Sequence, residues 1–166
     1  MNWEKSIVKI NVKSQKIYYS NPLNTFNIFE TSGTGFFITK NKILTCYHVV
    51  ENSIIIDILY KNTNEIKAKI KHIFPDDDLA LLEIQEVLED VIPLELKSIN
   101  EKEINDVLTI GFPLSSKNIK ITKGIISGYQ ESLIQTDASL NHGNSGGPLV
   151  IKDNGVYKVI GVNVSK

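Results

Sequence analysis

The sequence contains one cysteine, one methionine and one tryptophan among its 166 residues. With Cys46 alone available, no disulfide can close within the chain, so the fold has to rest on an ordinary apolar core. No apolar run approaches the length of a membrane span. Glu4, Lys5 and Lys9 fall where a secretory signal would need its apolar centre. Neither sign of charge dominates: 18 Lys and Arg face 19 Asp and Glu, giving a net charge of −1. That mixture excludes a basic stripe for nucleic acid and a polybasic patch for a membrane surface. Sequence repeats, low-complexity tracts and strong helical stripes are also missing. The lone cysteine and the charged N-terminus together lead us to expect a reducing, cytoplasmic setting.

What is present is ordinary in amount, with 42% hydrophobic and 22% charged residues. This suits one domain or two small lobes sharing an interface. Hydrophobic residues recur with period two, the pattern of half-buried strands. Strands are expected at Ile7–Val12, Lys16–Tyr19, Phe26–Glu30, Gly35–Thr39, Lys42–Thr45, Ile54–Tyr60, Glu65–Phe74 and Leu79–Ile84. Gln85–Asn105 is more charged and carries Pro93, which reads as a surface connector with a short helical turn. Strand signals resume at Val107–Ile110, Ile119–Ile121, Gly124–Gly128, Leu133–Thr136, Pro148–Ile151 and Val156–Val164. Short strands at close, even spacing indicate an antiparallel barrel or sandwich.

Three stretches carry candidate chemistry. In Gly143-Asn144-Ser145-Gly146-Gly147-Pro148-Leu149 one serine sits among three glycines, ahead of an apolar run. Such a loop is either a Gly/Pro turn between strands or a bare turn that projects a hydroxyl and exposes backbone N–H groups, as a nucleophilic serine with an oxyanion hole requires. His48 follows the apolar strand ending in Ile43-Leu44-Thr45-Cys46. It is either a structural histidine or a general base whose neutral imidazole takes a hydroxyl proton near pH 7. Asp76, Asp77 and Asp78 lead into Leu79–Ile84. The last stands nearest the core, where a carboxylate needs a hydrogen-bonding partner such as a histidine N–H. Asp76 and Asp77 read as a solvated acidic turn.

The segments Ser32-Gly33-Thr34-Gly35-Phe36-Phe37-Ile38, Ile43-Leu44-Thr45-Cys46-Tyr47-His48-Val49-Val50, Asp78-Leu79-Ala80-Leu81-Leu82-Glu83-Ile84 and Gln135-Thr136-Asp137-Ala138-Ser139-Leu140-Asn141-His142 running into the Gly143–Leu149 loop resemble those of chymotrypsin-fold serine proteases. They are most similar to the HtrA/Deg branch, as are Ile110–Pro113 and the following Lys123–Ser127. Four motifs in the family's order are far more specific than one. The resemblance implies an all-β fold of two six-stranded antiparallel barrels with the active site between them. One lobe, 1–94, would carry His48 and Asp78, and the other, 95–166, would carry Ser145. It further implies a serine endopeptidase with a triad of His48, Asp78 and Ser145, oxyanion donors from the N–H groups of Gly143 and Ser145, polypeptide substrates and no cofactor or metal.

Several positions qualify that expectation. Asn144 stands where digestive members have an aspartate that pairs with a newly cut amino terminus, so activation by ordering of loops, or by a partner, is expected in place of zymogen cleavage. Ser139 corresponds to the base of the primary specificity pocket, and Leu140 would narrow it. Cleavage after small or medium apolar residues follows. His142 lines the pocket mouth or is a solvated loop histidine. His72 is expected at the surface. Cys46 and His48 are two apart, but the sequence offers no further donor beside them, so Cys46 is expected as a small buried residue and no metal site is expected. The glycine loop lacks the Gly-Lys-Ser/Thr ending of a phosphate loop. The family adds a strand beyond the equivalent of Val164, and in the HtrA branch a PDZ domain. The expectation is therefore a second barrel short of its last strand and a protease module within a longer regulated protein. A protease-like module that binds polypeptides without cutting them is the rival reading.

Overall fold

The computed structural model describes residues 1–17, 26–61, 64–100, 105–113, 116–140 and 142–164. Six strands form a closed antiparallel barrel: β1 (Ile7–Ile17), β2 (Phe26–Phe37), β3 (Lys42–Cys46), β4 (Ser53–Tyr60), β5 (Asn64–Phe74) and β6 (Leu79–Ile84), in the order β1-β2-β3-β6-β5-β4. Val8, Ile10, Val12, Phe37, Ile43, Ile58, Tyr60 and Leu82 fill its interior. The second lobe is a six-stranded sheet of order β10-β9-β8-β11-β12-β7. Its strands are β7 (Glu95–Leu96), β8 (Asp106–Gly111), β9 (Lys120–Gln130), β10 (Leu133–Thr136), β11 (Pro148–Asp153) and β12 (Val156–Val162). This sheet curls into a half-barrel, and the pair of lobes matches the expected chymotrypsin-type double barrel.

A seam of apolar side chains joins the lobes, and it explains the doubled hydrophobic residues of the first barrel. Ile7 pairs with Phe36 across the β1–β2 ladder, while their neighbours Val8 and Phe37 point the other way. Because side chains alternate along a strand, Val8 and Phe37 enter the barrel and Ile7 and Phe36 enter the seam. There they pack with Trp3, Leu94, Ile110, Phe112, Val150 and Val159. Thr34 shares the seam-facing side of β2, a placement that governs the site described below.

Some sequence boundaries change. β2 runs unbroken from Phe26 through Ser32-Gly33-Thr34-Gly35 to Phe37. The glycines mark close approaches: a Cβ on Gly35 would come within 2.8 Å of both Ile10 and Ile43. β1 likewise continues through polar Lys13-Ser14-Gln15, held by its ladder with β2, and β9 is one strand where two were expected. The end of the expected Lys16–Tyr19 strand, and Glu101–Glu103 of the connector, lie outside the described residues. The connector runs over the surface, with Gln85–Val87, Glu89, Asp90, Ile92 and Pro93 exposed, and closes one hydrogen-bonded turn in which the Val91 N–H donates to the Leu88 carbonyl at 3.2 Å, but it is pinned to the body of the fold. Val91 and Leu94 are buried, the Ile92 N–H donates to the Lys5 carbonyl at 2.9 Å and the Leu94 N–H to the Phe37 carbonyl at 2.8 Å. Its Glu95-Leu96 then joins β12 in parallel.

Candidate active site

The pairing of β3 with β6 brings the first two candidates together. Cys46 stands opposite Leu79 at the end of that ladder. The residues just beyond Cys46 and just before Leu79 are therefore neighbours, although about thirty positions separate them in sequence. The chain turns after Cys46 into the one-turn helix Tyr47–Val50, pinned by buried Val49 and Val50. Asp78 ends the 3-10 turn Pro75–Asp77 in a left-handed conformation (φ 54°, ψ 45°), which aspartate tolerates better than most residues. Three bonds then fasten the two segments. The Tyr47 N–H donates to the Asp78 carbonyl at 3.0 Å, the His48 N–H to Asp78 Oδ1 at 2.8 Å, and His48 Nδ1 lies 2.6 Å from Asp78 Oδ2. A carboxylate only accepts, so Nδ1 carries the proton and the neutral ring keeps its lone pair on Nε2. Asp76 and Asp77 are exposed.

Ser145 follows the 3-10 turn His142–Asn144, and its residue is 2% exposed. The turn is clamped from the first barrel. Thr34, wholly buried, donates its N–H to the Ser145 carbonyl at 2.9 Å and its hydroxyl to the Gly143 carbonyl at 2.7 Å, and its Oγ1 accepts the Phe112 N–H at 3.0 Å. Gly146 adopts φ +91°, and a Cβ there would lie 2.0 Å from the Thr34 carbonyl oxygen, 2.2 Å from Thr45 Oγ1 and 3.2 Å from the Cys46 nitrogen. A Cβ on Gly147 would lie 2.1 Å from the Ile110 carbonyl oxygen. Only glycine fits at either position. The serine turn is thus seated directly against the end of β3, two residues before His48.

Sequence reasoning passed over Asn163. Its carbonyl accepts both the Gly146 N–H at 2.8 Å and the Cys46 thiol at 3.1 Å, its N–H donates to the Gly147 carbonyl at 2.8 Å, and its side chain donates to the Pro148 carbonyl at 3.3 Å. Nothing in Val162-Asn163-Val164 announces a bracket for a turn so distant in sequence. Thr34 did carry a signal, a polar residue between two glycines inside an apolar strand.

The remaining candidates are placed as follows. Asn144 is 1% exposed, its Oδ1 has no hydrogen-bond donor among the described residues, and Gly111 lies against it. Ser139 and Leu140 are exposed just beyond buried Ala138. Their approach is fixed by Asp137 Oδ1, which accepts the Ile125 N–H at 2.8 Å, and by the Thr136 hydroxyl, which donates to the Ile125 carbonyl at 2.8 Å. His142 opens the 3-10 turn. His72 is exposed on β5, and Cys46 is fully buried, as expected. The expectation that Cys46 and His48 lack a third donor is corrected, because the fold adds Asp78. Ligand atoms of Cys46, His48 and Asp78 lie within 4.8 Å of one another.

This arrangement has matches among known proteins. The trypsin-like peptidase domain family matches residues 33–162, from the β2 glycines to the end of β12. The chain belongs to the trypsin-like peptidase family. Among relatives, Arabidopsis thaliana Do-like protease 13 is 36% identical over 170 residues, covering 95% of this chain and 34% of that protein. The mitochondrial Do-like protease 4 of the same plant is 38% identical over 135 residues, covering 74% of this chain and 26% of its own length. The chain thus spans about a third or less of these relatives. A solved HtrA-type protease with a decapeptide superposes with a TM-score of 0.79 at 26% identity, covering 97% of this chain and 55% of that one. Trypsin-like domain, double barrel and relatives together place the chain in the HtrA/Do-like branch of that family.

Proposed function

We propose that this domain hydrolyses polypeptides through an acyl-enzyme formed on Ser145. His48 Nε2 takes the Ser145 proton as the hydroxyl attacks the scissile carbonyl, and returns it to the leaving amine. Asp78 holds the Nδ1–H tautomer and stabilises the imidazolium. The N–H groups of Gly143 and Ser145 receive the oxyanion. Water then enters and attacks the acyl carbonyl as His48 takes its proton; the ester bond to Ser145 breaks, the acid product leaves and His48 returns the proton to the Ser145 oxygen. The observation that carries this reading is the doubly bonded His48–Asp78 pair, set where the clamped Ser145 turn meets the end of β3.

Finer features belong to the same proposal. Exposed Ser139 and Leu140 offer no charge for an Arg or Lys side chain, which favours cleavage after small or medium apolar residues. Buried Asn144 offers no carboxylate for a cut amino terminus, which favours activation through loop ordering or a partner. The same proposal takes the domain as part of a longer, regulated protein acting in a cytoplasmic setting. The test is digestion of an unfolded model protein with every cut mapped by mass spectrometry, comparing wild type with Ser145→Ala. Cuts after Ala, Val or Leu that vanish in Ser145→Ala are expected. Polypeptide binding with no cut, in wild type and variant alike, would establish the non-cleaving module instead.

A further inference from the structure

Cys46 has no part in the proposed reaction, yet it lies beside the pair that does. It is the last residue of β3, fully buried, with its thiol donating to the Asn163 carbonyl at 3.1 Å. Its Sγ, a ring nitrogen of His48 and a carboxylate oxygen of Asp78 lie within 4.8 Å of one another. A thiolate, an imidazole and a carboxylate are the three donor types that zinc takes. With bond lengths of about 2.0–2.3 Å, two donors of a tetrahedral zinc centre stand roughly 3.3–3.7 Å apart. The observed separations come to that range with side-chain shifts of about 1 Å. Cys46 is the buried member of the cluster, while the His48 and Asp78 side chains are 31% and 15% exposed.

We propose that Cys46, His48 and Asp78 form an inhibitory site for a thiophilic divalent cation, with zinc the preferred ion. On binding, the Cys46 thiol releases its proton to solvent. The imidazole stays neutral, gives its Nδ1 lone pair to the metal and carries its proton on Nε2. Asp78 exchanges the N–H it accepted for the cation, so one proton leaves per ion bound. An Nε2–H cannot accept the Ser145 proton, and general-base catalysis stops. The inhibitory consequence rests on the triad reading, whereas the site itself does not. Hard cations with a preference for oxygen, such as Mg²⁺ and Ca²⁺, are excluded by the thiol.

The test titrates the chain with Co²⁺ and follows the thiolate-to-cobalt charge-transfer band, with fluorophosphonate labelling measured alongside. One Co²⁺ per chain is expected, displaced by Zn²⁺ and indifferent to Mg²⁺. Cys46→Ser, which keeps a donor toward the Asn163 carbonyl, is expected to lose the band and weaken binding by about 100-fold or more. Labelling should fall as the site fills, recover with a chelator, and become insensitive to the metal in Cys46→Ser, each chain compared with its own metal-free rate. Absence of a thiolate band, its survival in Cys46→Ser, or full labelling of the zinc-saturated chain would overturn the proposal. Cobalt binding through Cys46 in a chain that never labels would support the site and refute the catalytic reading.

Discussion

Thr34→Val removes one oxygen and keeps the side-chain shape, which makes it a sharp probe of how the first barrel holds the serine turn. Thr34 is fully buried; its hydroxyl donates to the Gly143 carbonyl and accepts the Phe112 N–H. Valine leaves both of those backbone groups without their partner in a dry seam. An orphaned buried polar group costs about 1–3 kcal/mol, so the pair together should cost roughly 2–6 kcal/mol, a large share of a typical domain's stability. For a domain of this size that corresponds to a fall in Tm of about 4–24 °C. Urea unfolding should show a lower midpoint with an unchanged slope. The Gly143 carbonyl belongs to the turn bearing both proposed oxyanion donors, so fluorophosphonate labelling should slow by roughly 10- to 100-fold under conditions where the fold persists. Thr34→Ser keeps the hydroxyl and should restore most of both properties. A Thr34→Val chain that unfolds and labels like wild type, or a Thr34→Ser chain as impaired as Thr34→Val, would refute the clamp.

Three other outcomes follow from charges and burial. Asn144→Asp would bury a carboxylate where the present Oδ1 has no donor among the described residues; it should destabilise the chain by several kcal/mol at neutral pH and much less in acid, measured by urea unfolding at both. The carboxyl of Asp153 is held below its usual range by hydrogen bonds from Lys158 first and Lys97 second, which tie β11 and β12 to the residues after β7. Its folded pKa is depressed, so this stabilisation is present above the unfolded aspartate range and lost as pH falls through the folded value. Asp153→Asn should therefore flatten the acid limb of the unfolding profile below about pH 4. The Tyr60 phenol is pushed up to about 12, by burial first and then by Asp90. Stability should decline as pH rises above about 10, where the unfolded tyrosine ionises first, and Tyr60→Phe should remove that decline, read by alkaline unfolding with tyrosinate absorbance as the control.

Much of the fold was legible because alternation is a local signal. Val8, Ile10 and Val12 mark an inward face whichever strand they pair with. The doubled residues Ile7-Val8 and Phe36-Phe37 were a subtler sign that both faces of the strands are covered. His48 and Asp78 could be nominated because each stands at one end of an apolar strand, but their meeting depends on the Cys46–Leu79 register, a long-range pairing. The less legible features share that cause. Thr31–Thr34 fell between two expected strands because glycine and serine are common in turns, whereas Gly33 and Gly35 admit neighbouring side chains and Thr34 clamps the serine turn. Glu95-Leu96 is too short to show any period, and its strand exists only through β12. Asn163 works through backbone groups, which leave no mark on residue type. Asp78 becomes a third donor beside Cys46 only once β3 and β6 have paired.

The central claim is that Ser145, His48 and Asp78 act as one unit. The most direct measurement is the intact mass of the chain after exposure to a fluorophosphonate, with the adduct mapped by peptide sequencing and its rate of formation followed. One adduct per chain, located on Ser145, absent in Ser145→Ala and slowed by about 10⁴-fold in Asp78→Asn, is the expected result. No adduct on a folded chain under any of the loop-ordering conditions tried, an adduct on another residue, or an Asp78→Asn chain that labels at the wild-type rate would contradict it.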